Sequence, residues 1–404
     1  MKLELNAQQK EAQAEFRTFV DAEIVPFANR CDREEHTPIQ LIEKIAKKGY
    51  LGAIIPKDFG GSGMDAIAYG LLNEEIGRGC SSLRSLLTVH SMVSHGILKW
   101  GSKQQKEYWI PKLATGEVIA AFALSEPNVG SDAKSIETTA TLSGDTYVLN
   151  GQKKWITYGQ IADIFLVFAQ YEGKPSAFLV EKNSPGLSIE PIFGMMGVKA
   201  SMLAELHLNN CQIPSENLVG KQGFGFSYIA ASALDYGRYS VAWGCVGIAQ
   251  ACLEASIQYT NQRKQFGVYL KEHQLIRQMI TEMTANVKAA RLLCYQAGYL
   301  KETRDPKAIL ETSIAKYFAS TIATKAANDA VQIHGANGCT SDYPVQRYLR
   351  DAKIMEIIEG STQIQQITIA DYAYQEYLIS CPVASVASAG AGLTKYLVVP
   401  QNGW

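Results

Sequence analysis

The hydrophobic period of this chain changes twice, and no single regular architecture accommodates both changes. Up to about residue 118, apolar residues recur at three- and four-residue spacings, as on the buried stripe of a helix. They do so over 5–30, 38–48, 66–79 and 86–99, and "KQQKEYWIPKLATGE" (103–117) follows. "IPKDFGGSGMD" (55–65) interrupts them as a glycine-rich loop. From Val118 the runs become short and β-rich: "IAAFALSE", "TATLSGDTYVLNGQKKWIT", "ADIFLVFAQY", "SAFLVEK", "LSIEPI" and "AELHLNNCQI". "LSGDTYVLNG" predicts a hairpin with Gly-Asp at its turn. After Gly225 the helical period returns over 226–262, 272–302, 306–335 and 345–377. Four long helices with short connections predict an antiparallel four-helix bundle. The expected fold class is α+β, mostly α. It comprises an N-terminal helical domain (1–118), a central β-barrel-like domain (119–225), a C-terminal four-helix bundle (226–380) and a tail (381–404) rich in Ala, Gly and Ser.

Composition narrows the class of function. With 38 basic and 39 acidic residues the net charge is −1, giving no electrostatic reason to expect nucleic acid or an anionic membrane as partner. No apolar run suggests a transmembrane helix, and "MKLELNAQQKEAQ" has neither the apolar stretch nor the cleavage site of a signal peptide. A cytoplasmic location is the expectation. The eight cysteines are scattered without a C-x-x-C, and no two histidines stand as H-x-x-x-H, so reduced thiols and no metal are expected. No G-x-G-x-x-G occurs, which argues against a Rossmann nucleotide site.

One carboxylate stands out. In "MEIIEGSTQIQQ" (355–366), Glu359 lies between an apolar run and a Gly-Ser-Thr turn, with the nearest upstream basic residue at Lys353. Read alone, this is a glutamate capping a helix end. A carboxylate in such an apolar setting also suits a general base, because desolvation raises its pKa toward neutrality.

Six stretches in order carry a family resemblance. "ALSEPNVGSD" (123–132) and "QIHGANGCTSDYPVQRYLRD" (332–351) resemble the two signatures of the acyl-CoA dehydrogenase family of flavoenzymes. "KKWIT" (153–157), "LDYGR" (234–238), "RKQFG" (263–267) and "IIEGSTQIQ" (357–365) fall in the family's order, so the resemblance spans about residues 5 to 377. It implies a helical, β, helical-bundle fold that binds FAD between the β domain and the bundle. It further implies that an acyl thioester loses its α-proton to Glu359 and its β-hydride to flavin N5. Family members of the isovaleryl type carry the base on an earlier helix, and that position is Gly237 here, which takes no proton.

The same resemblance implies the remaining site. Leu124 and Ser125 would meet the flavin ring edge, while Gly130 and Ser131 would approach the pyrophosphate. Val129 replaces a residue that is usually small. Trp155, Ile156 and Thr157 would lie along the isoalloxazine. Arg263, Phe266 and Gln274 would reach the FAD of a neighbouring subunit, where arginine's fork suits a pyrophosphate. Gln332, Gly335 and Ala336 would contact the adenosine side, Ala336 standing where Gly or Ser is usual. Ser361 and Gln363 would complete the pocket. Asp235 and Arg238 would sit near substrate, Asp235 by the pantetheine arm. Gly360 would admit the substrate closely, with the Glu359 N–H donating to the thioester oxygen. FAD shared between subunits implies a homo-oligomer, a tetramer or a dimer.

The partner calling for most discrimination is the thioester carrier, CoA or an acyl carrier protein. The run 334–366 looks like dehydrogenases that make alkoxymalonyl extender units for polyketides. Fatty or branched-chain acyl-CoA catabolism is the alternative, as is a flavin oxidase acting on a carrier-bound acyl or aminoacyl group. An electron-transfer flavoprotein or oxygen would then be the electron acceptor. A non-catalytic scaffold would bind no flavin.

Overall fold

The computed structural model describes residues 4–380; the tail expected at 381–404 lies outside the described residues. The first helical stretch is two helices, α1 (Ala7–Glu23) and α2 (Val25–Glu34), rather than one. Pro26 explains the break: it has no N–H for a continuing helix but suits the first turn of a new one. α3 (Ile39–Lys47), α4 (Ala66–Gly79), α5 (Ser81–Trp100) and α6 (Lys103–Thr115) complete the first helical region. Their starts carry the expected chemistry. Asp65 accepts from Ala68 N–H at 2.6 Å, and Ser102 and Gln105 form a capping box.

The strands are β1 (Ala120–Ala123), β2 (Thr139–Ser143), β3 (Thr146–Ile156), β4 (Ile164–Tyr171), β5 (Lys174–Glu181), β6 (Leu187–Pro191), β7 (Ala204–Pro214) and β8 (Leu218–Val219). They make one sheet in the order β6-β7-β3-β2-β4-β5-β8, with β1 running parallel beside β4. β2 and β3 form the expected hairpin, pairing Ser143 with Thr146 around Gly144, whose φ of 60° suits the turn. The sheet curls enough for Phe165, Val167, Phe178 and Val180 of β4 and β5 to share a core with Leu149, Leu206, Leu208 and Ile213 of β3 and β7. Its other face packs Leu166, Phe168 and Leu179 against Val89, Met92 and Val93 of α5.

A π-helical turn, Gly225–Ala230, leads into α7 (Ala231–Gln262). The helices α8 (Gln274–Glu302) and α9 (Ala308–His334) pack against it. Between α7 and α8 lies a small hairpin of β9 (Lys264–Gln265) and β10 (Val268–Tyr269), turning through Phe266 and Gly267. The segment expected as the bundle's fourth long helix is instead α10 (Val345–Met355) and α11 (Thr362–Ser380), interrupted at 356–361. That interruption contains Glu359.

By length and composition, residues 225–262 could cross a membrane, contrary to the expectation from the sequence, but most of that stretch is buried inside the fold. Its neighbours reach it through glycines. A Cβ on Gly247 would stand 2.1 Å from the Glu74 carbonyl oxygen, and one on Gly77 would stand 2.8 Å from the Gly244 Cα. α4 and α7 therefore cross with their backbones nearly touching, which fixes the depth at which α5 sits between the bundle and the sheet. Gly247→Ala is expected to force this crossing apart and destabilise the protein by about 1–3 kcal/mol, read as a lowered urea midpoint with unchanged slope.

Candidate active site

Glu359 owes its position to a left-handed turn. Its φ is 55° and that of Gly360 is 89°, which ends the helical path. Three side chains hold the turn by its carbonyls. Arg238 Nε donates to the Glu359 oxygen at 3.2 Å, and Lys316 Nζ donates to the Gly360 oxygen at 2.8 Å. Gln365 Nε2 donates to both, each at 3.2 Å. The arrangement uses these groups as backbone clamps and leaves the carboxylate free.

The Glu359 side chain turns toward α7 and α5. A Cβ on Gly237 would lie 2.4 Å from Glu359 Oε2 and 3.0 Å from Met92 Sδ. The glycine thus leaves the room that the carboxylate occupies. Glu359 as a whole is partly exposed, yet Oε2 is out of solvent and has no hydrogen-bond partner. Among the described residues no cation lies within ion-pair distance of it. Burial pushes its pKa up to about 7, against the downward pull of Arg238, Arg84 and Lys316. Burial also pushes the Lys316 amine down to about 8.

A second cluster ties the segment after β1 to β3. The buried Lys153 Nζ meets Glu126 Oε1 at 2.6 Å and the Leu124 carbonyl at 3.2 Å, and Lys154 N–H donates to the Ser125 oxygen at 2.9 Å. Burial would raise the Glu126 carboxyl, but Lys153 holds it below its ordinary value. This anchor sets Leu124 and Ser125 beside the strand that carries Trp155 and Ile156. Ile156 is buried; Trp155 is about half exposed, with φ of 65°. The hydroxyls of Ser125, Ser131 and Thr157 donate to no described group. Gly130 has open space at its Cβ position.

The remaining expected residues fall into two places. Ser361 and Gln363 flank the Glu359 turn, Ser361 at the start of α11, where its Oγ accepts from Ile364 N–H at 3.4 Å. Arg263, Phe266 and Gln274 lie on and after the β9–β10 hairpin, all exposed, Phe266 to 94 %. Gln332, Gly335 and Ala336 are exposed at the end of α9. Tyr259 joins these two sets: its carbonyl accepts from Arg263 N–H, its hydroxyl bonds the His334 oxygen, and its ring stacks on His334 at 4.2 Å. Asp235 pairs with Lys301 of α8, leaving Oδ1 buried without a partner. Lys316, Gln365 and Met92 were not picked out from the sequence. Lys316 had a signal, being a lone lysine in the apolar helix "TSIAKYFAS".

The structure thus holds a desolvated, unpaired carboxylate at 359 and, on the segment after β1 and on and after β3, unpartnered hydroxyls and a half-exposed indole. The chain matches the N-terminal, middle and C-terminal domains of acyl-CoA dehydrogenase over residues 6–117, 121–211 and 223–373. It is 42 % identical over 362 residues to an acyl-CoA dehydrogenase of Bacillus subtilis (strain 168), covering 88 % of this chain and 95 % of the relative. The solved butyryl-CoA dehydrogenase from Megasphaera elsdenii superposes with a TM-score of 0.89 at 34 % identity, covering 93 % and 100 % of the two chains. FkbI, for biosynthesis of the methoxymalonyl extender unit of the Fk520 polyketide, gives 0.82 at 31 %, covering 90 % and 99 %. The chain belongs to the acyl-CoA dehydrogenase family, and it is an FAD-dependent oxidoreductase that dehydrogenates acyl thioesters.

The carboxylate's surroundings generate three predictions. As a base Glu359 works ionised, so kcat/KM should fall about tenfold per unit below a pH near 7 and level off above it, read from a pH–rate profile. The raised pKa also means that folding favours the protonated form. Its stabilising contribution is complete below the ordinary 4.5 and is lost as pH rises through about 7, so Glu359→Gln should raise Tm relative to wild type only at the alkaline end. Gly237→Ala should displace the carboxylate and lower kcat by roughly 10²-fold while flavin absorbance is retained.

Proposed function

We propose that this enzyme removes the α-proton of a short acyl thioester with Glu359 as its base. The observation that carries the reading is the buried, unpartnered Oε2 of Glu359 lying against the backbone of Gly237. A base there meets substrate without first breaking an ion pair. The Glu359 N–H, which donates to no described group, faces the role of thioester-oxygen donor. Arg238, Lys316 and Gln365 keep both functions of residue 359 in register by fixing its carbonyl and that of Gly360.

FAD, when bound, supplies the acceptor for the β-hydride. Ser125, Ser131 and Thr157 fit it as hydroxyl donors and Trp155 as an exposed aromatic face. The exposed residues Arg263, Phe266, Gln274, Gln332, Gly335 and Ala336 fit a share of FAD contributed by a second copy, so a homo-oligomer is part of the proposal. An electron-transfer flavoprotein is the acceptor inferred, with oxygen as the alternative, told apart by peroxide formation in air. A cytoplasmic setting belongs to the same reading, supported by seven free thiols among the described residues.

The carrier has a second reading. Likeness to FkbI and the sequence from 334 to 366 favour an acyl carrier protein and the making of a polyketide extender unit. Anaerobic titration of the yellow holoenzyme with acyl-CoAs and matched acyl-carrier proteins tests both readings. Bleaching by the carrier-bound group alone supports the biosynthetic role, and bleaching by acyl-CoA supports the catabolic one. Glu359→Gln should slow bleaching by roughly 10²–10⁴-fold; a variant that bleaches at the wild-type rate refutes the base.

A further inference from the structure

The seam between α5 and α7 that receives the Glu359 side chain is closed at one end and open at the other. The two helices run antiparallel, since Met92 lies against Gly237 and Thr88 bonds Ser240 at 2.6 Å. Toward the start of α5 every residue from Ser81 to Ser94 is buried. Toward its end the seam reaches solvent: His95 and Trp100 are half-buried and Lys99 is exposed. Trp100 stands eight positions after Met92, so this opening lies about 12 Å along the helix from the level of the carboxylate.

Aromatic rings and lysines surround the opening. Trp100 meets Phe224 at 5.9 Å and Tyr228 at 5.5 Å between ring centres, and Phe224 stacks on Tyr228 at 4.5 Å. Tyr228 lies in the π-helical turn that leads into α7, a geometry found mostly at functional sites, and it is 46 % exposed. Four exposed lysines from separate stretches of chain stand around these rings. Lys99 Nζ lies 5.2 Å from the Trp100 ring centre, and Lys134 Nζ lies 5.5 Å from that of Phe226. The Lys174 side chain lies across Gly223, and the Lys221 carbonyl accepts from Phe224 N–H at 3.0 Å.

Among the described residues none of these four lysines forms an ion pair, whereas Lys103 pairs with Glu107 and Lys301 with Asp235. The acids on the same stretches take other donors. Glu172 accepts from Gln222 at 2.7 Å, Asp132 from Ser135 at 2.6 Å and Glu137 from Asn128 at 3.3 Å. A cation resting on an aromatic face keeps its charge available to an incoming acid.

We propose that Lys99, Lys134, Lys174 and Lys221, around Trp100, Phe224 and Tyr228, form the docking surface for an acyl carrier protein, a small acidic helical domain. The inference rests on the proposed function, with the thioester at Glu359, and deepens its carrier-bound reading. A phosphopantetheine arm of about fourteen bonds extends roughly 15 Å, which carries a thioester from this rim to the carboxylate. A free phosphate engages one or two cations. Here four cations on four separate stretches frame exposed rings, and that is the anatomy of a protein interface, in which the rings are buried and the rim charges steer the encounter.

Docking is measured as binding, apart from chemistry. A fluorescent, negatively charged acyl carrier protein loaded with a butyryl thioester is titrated with flavin-loaded enzyme, and Kd is read from anisotropy. Kd is expected to rise about tenfold between about 50 and 300 mM salt, and about 10–100-fold in Lys99→Glu combined with Lys134→Glu. Lys99→Gln with Lys134→Gln, which neutralises the charges without reversing them, should give a smaller loss of the same sign. Butyryl-pantetheine carries the arm without phosphate or protein, and it should bleach the flavin of these variants at the wild-type rate. Wild-type enzyme that does not bind the loaded carrier, or a Kd that both variants leave unchanged, overturns the surface. An equal loss of butyryl-CoA affinity also overturns it, because the lysines would then serve the phosphates of CoA. Failure of the base is seen separately, as wild-type bleaching by butyryl-pantetheine in Glu359→Gln.

Discussion

The placement of one carboxylate against one glycine organises the catalytic half of this protein. Glu359 Oε2 sits where a side chain on residue 237 would be, so the two positions exclude one another sterically. The close packing has an electrostatic consequence, since it removes the carboxylate from water without giving it a partner and thereby raises its proton affinity. Everything that holds residue 359 there acts on its backbone. An ion pair to the side chain would have fixed it equally well but would have lowered the pKa and occupied the oxygens that the proposed base uses to take a proton.

That placement depends on elements far apart in the chain. Arg238 comes from α7, Lys316 from α9 and Gln365 from α11, and all three converge on a two-residue turn. α7 can approach α4 and α5 closely because Gly77, Gly244 and Gly247 remove side chains from the crossing. α5 in turn gives Leu83, Leu86 and Leu87 to the helical core and Val89, Met92 and Val93 to the sheet. The sheet is thereby docked on α5, with the Glu126–Lys153 pair holding the segment after β1 to β3. Such a pair contributes little net stability when both partners are present, but it tolerates few geometries and so positions Ser125 relative to Trp155.

Much of this was legible in the chain. The switches of period near Val118 and Gly225 mark real changes from helix to strand and back, because the two periods follow from backbone geometry alone. The Gly-Asp hairpin is local for the same reason. The break in the last bundle segment was not legible. Apolar residues keep helical spacing through Ile357 and Ile358, and a lone Gly360 is compatible with a helix until distant donors claim its carbonyl. The division of the first helix was readable from Pro26 but was masked by a continuous apolar stripe.

The sequence by itself determined the order of helical and β regions and the family motifs, and it singled out Glu359 as the expected base. Glycine at 237 and glutamate at 359 are facts of composition at two positions. Only the tertiary structure decided that these positions touch, that Asp235 is held by Lys301, and that Lys316 serves a carbonyl 44 residues away. It also decided that Arg84 is buried without an acid. The physical reason is the range of the forces involved. Periodicity and turns are set by neighbours along the chain, whereas desolvation and charge pairing are set by whatever the folded helices bring alongside.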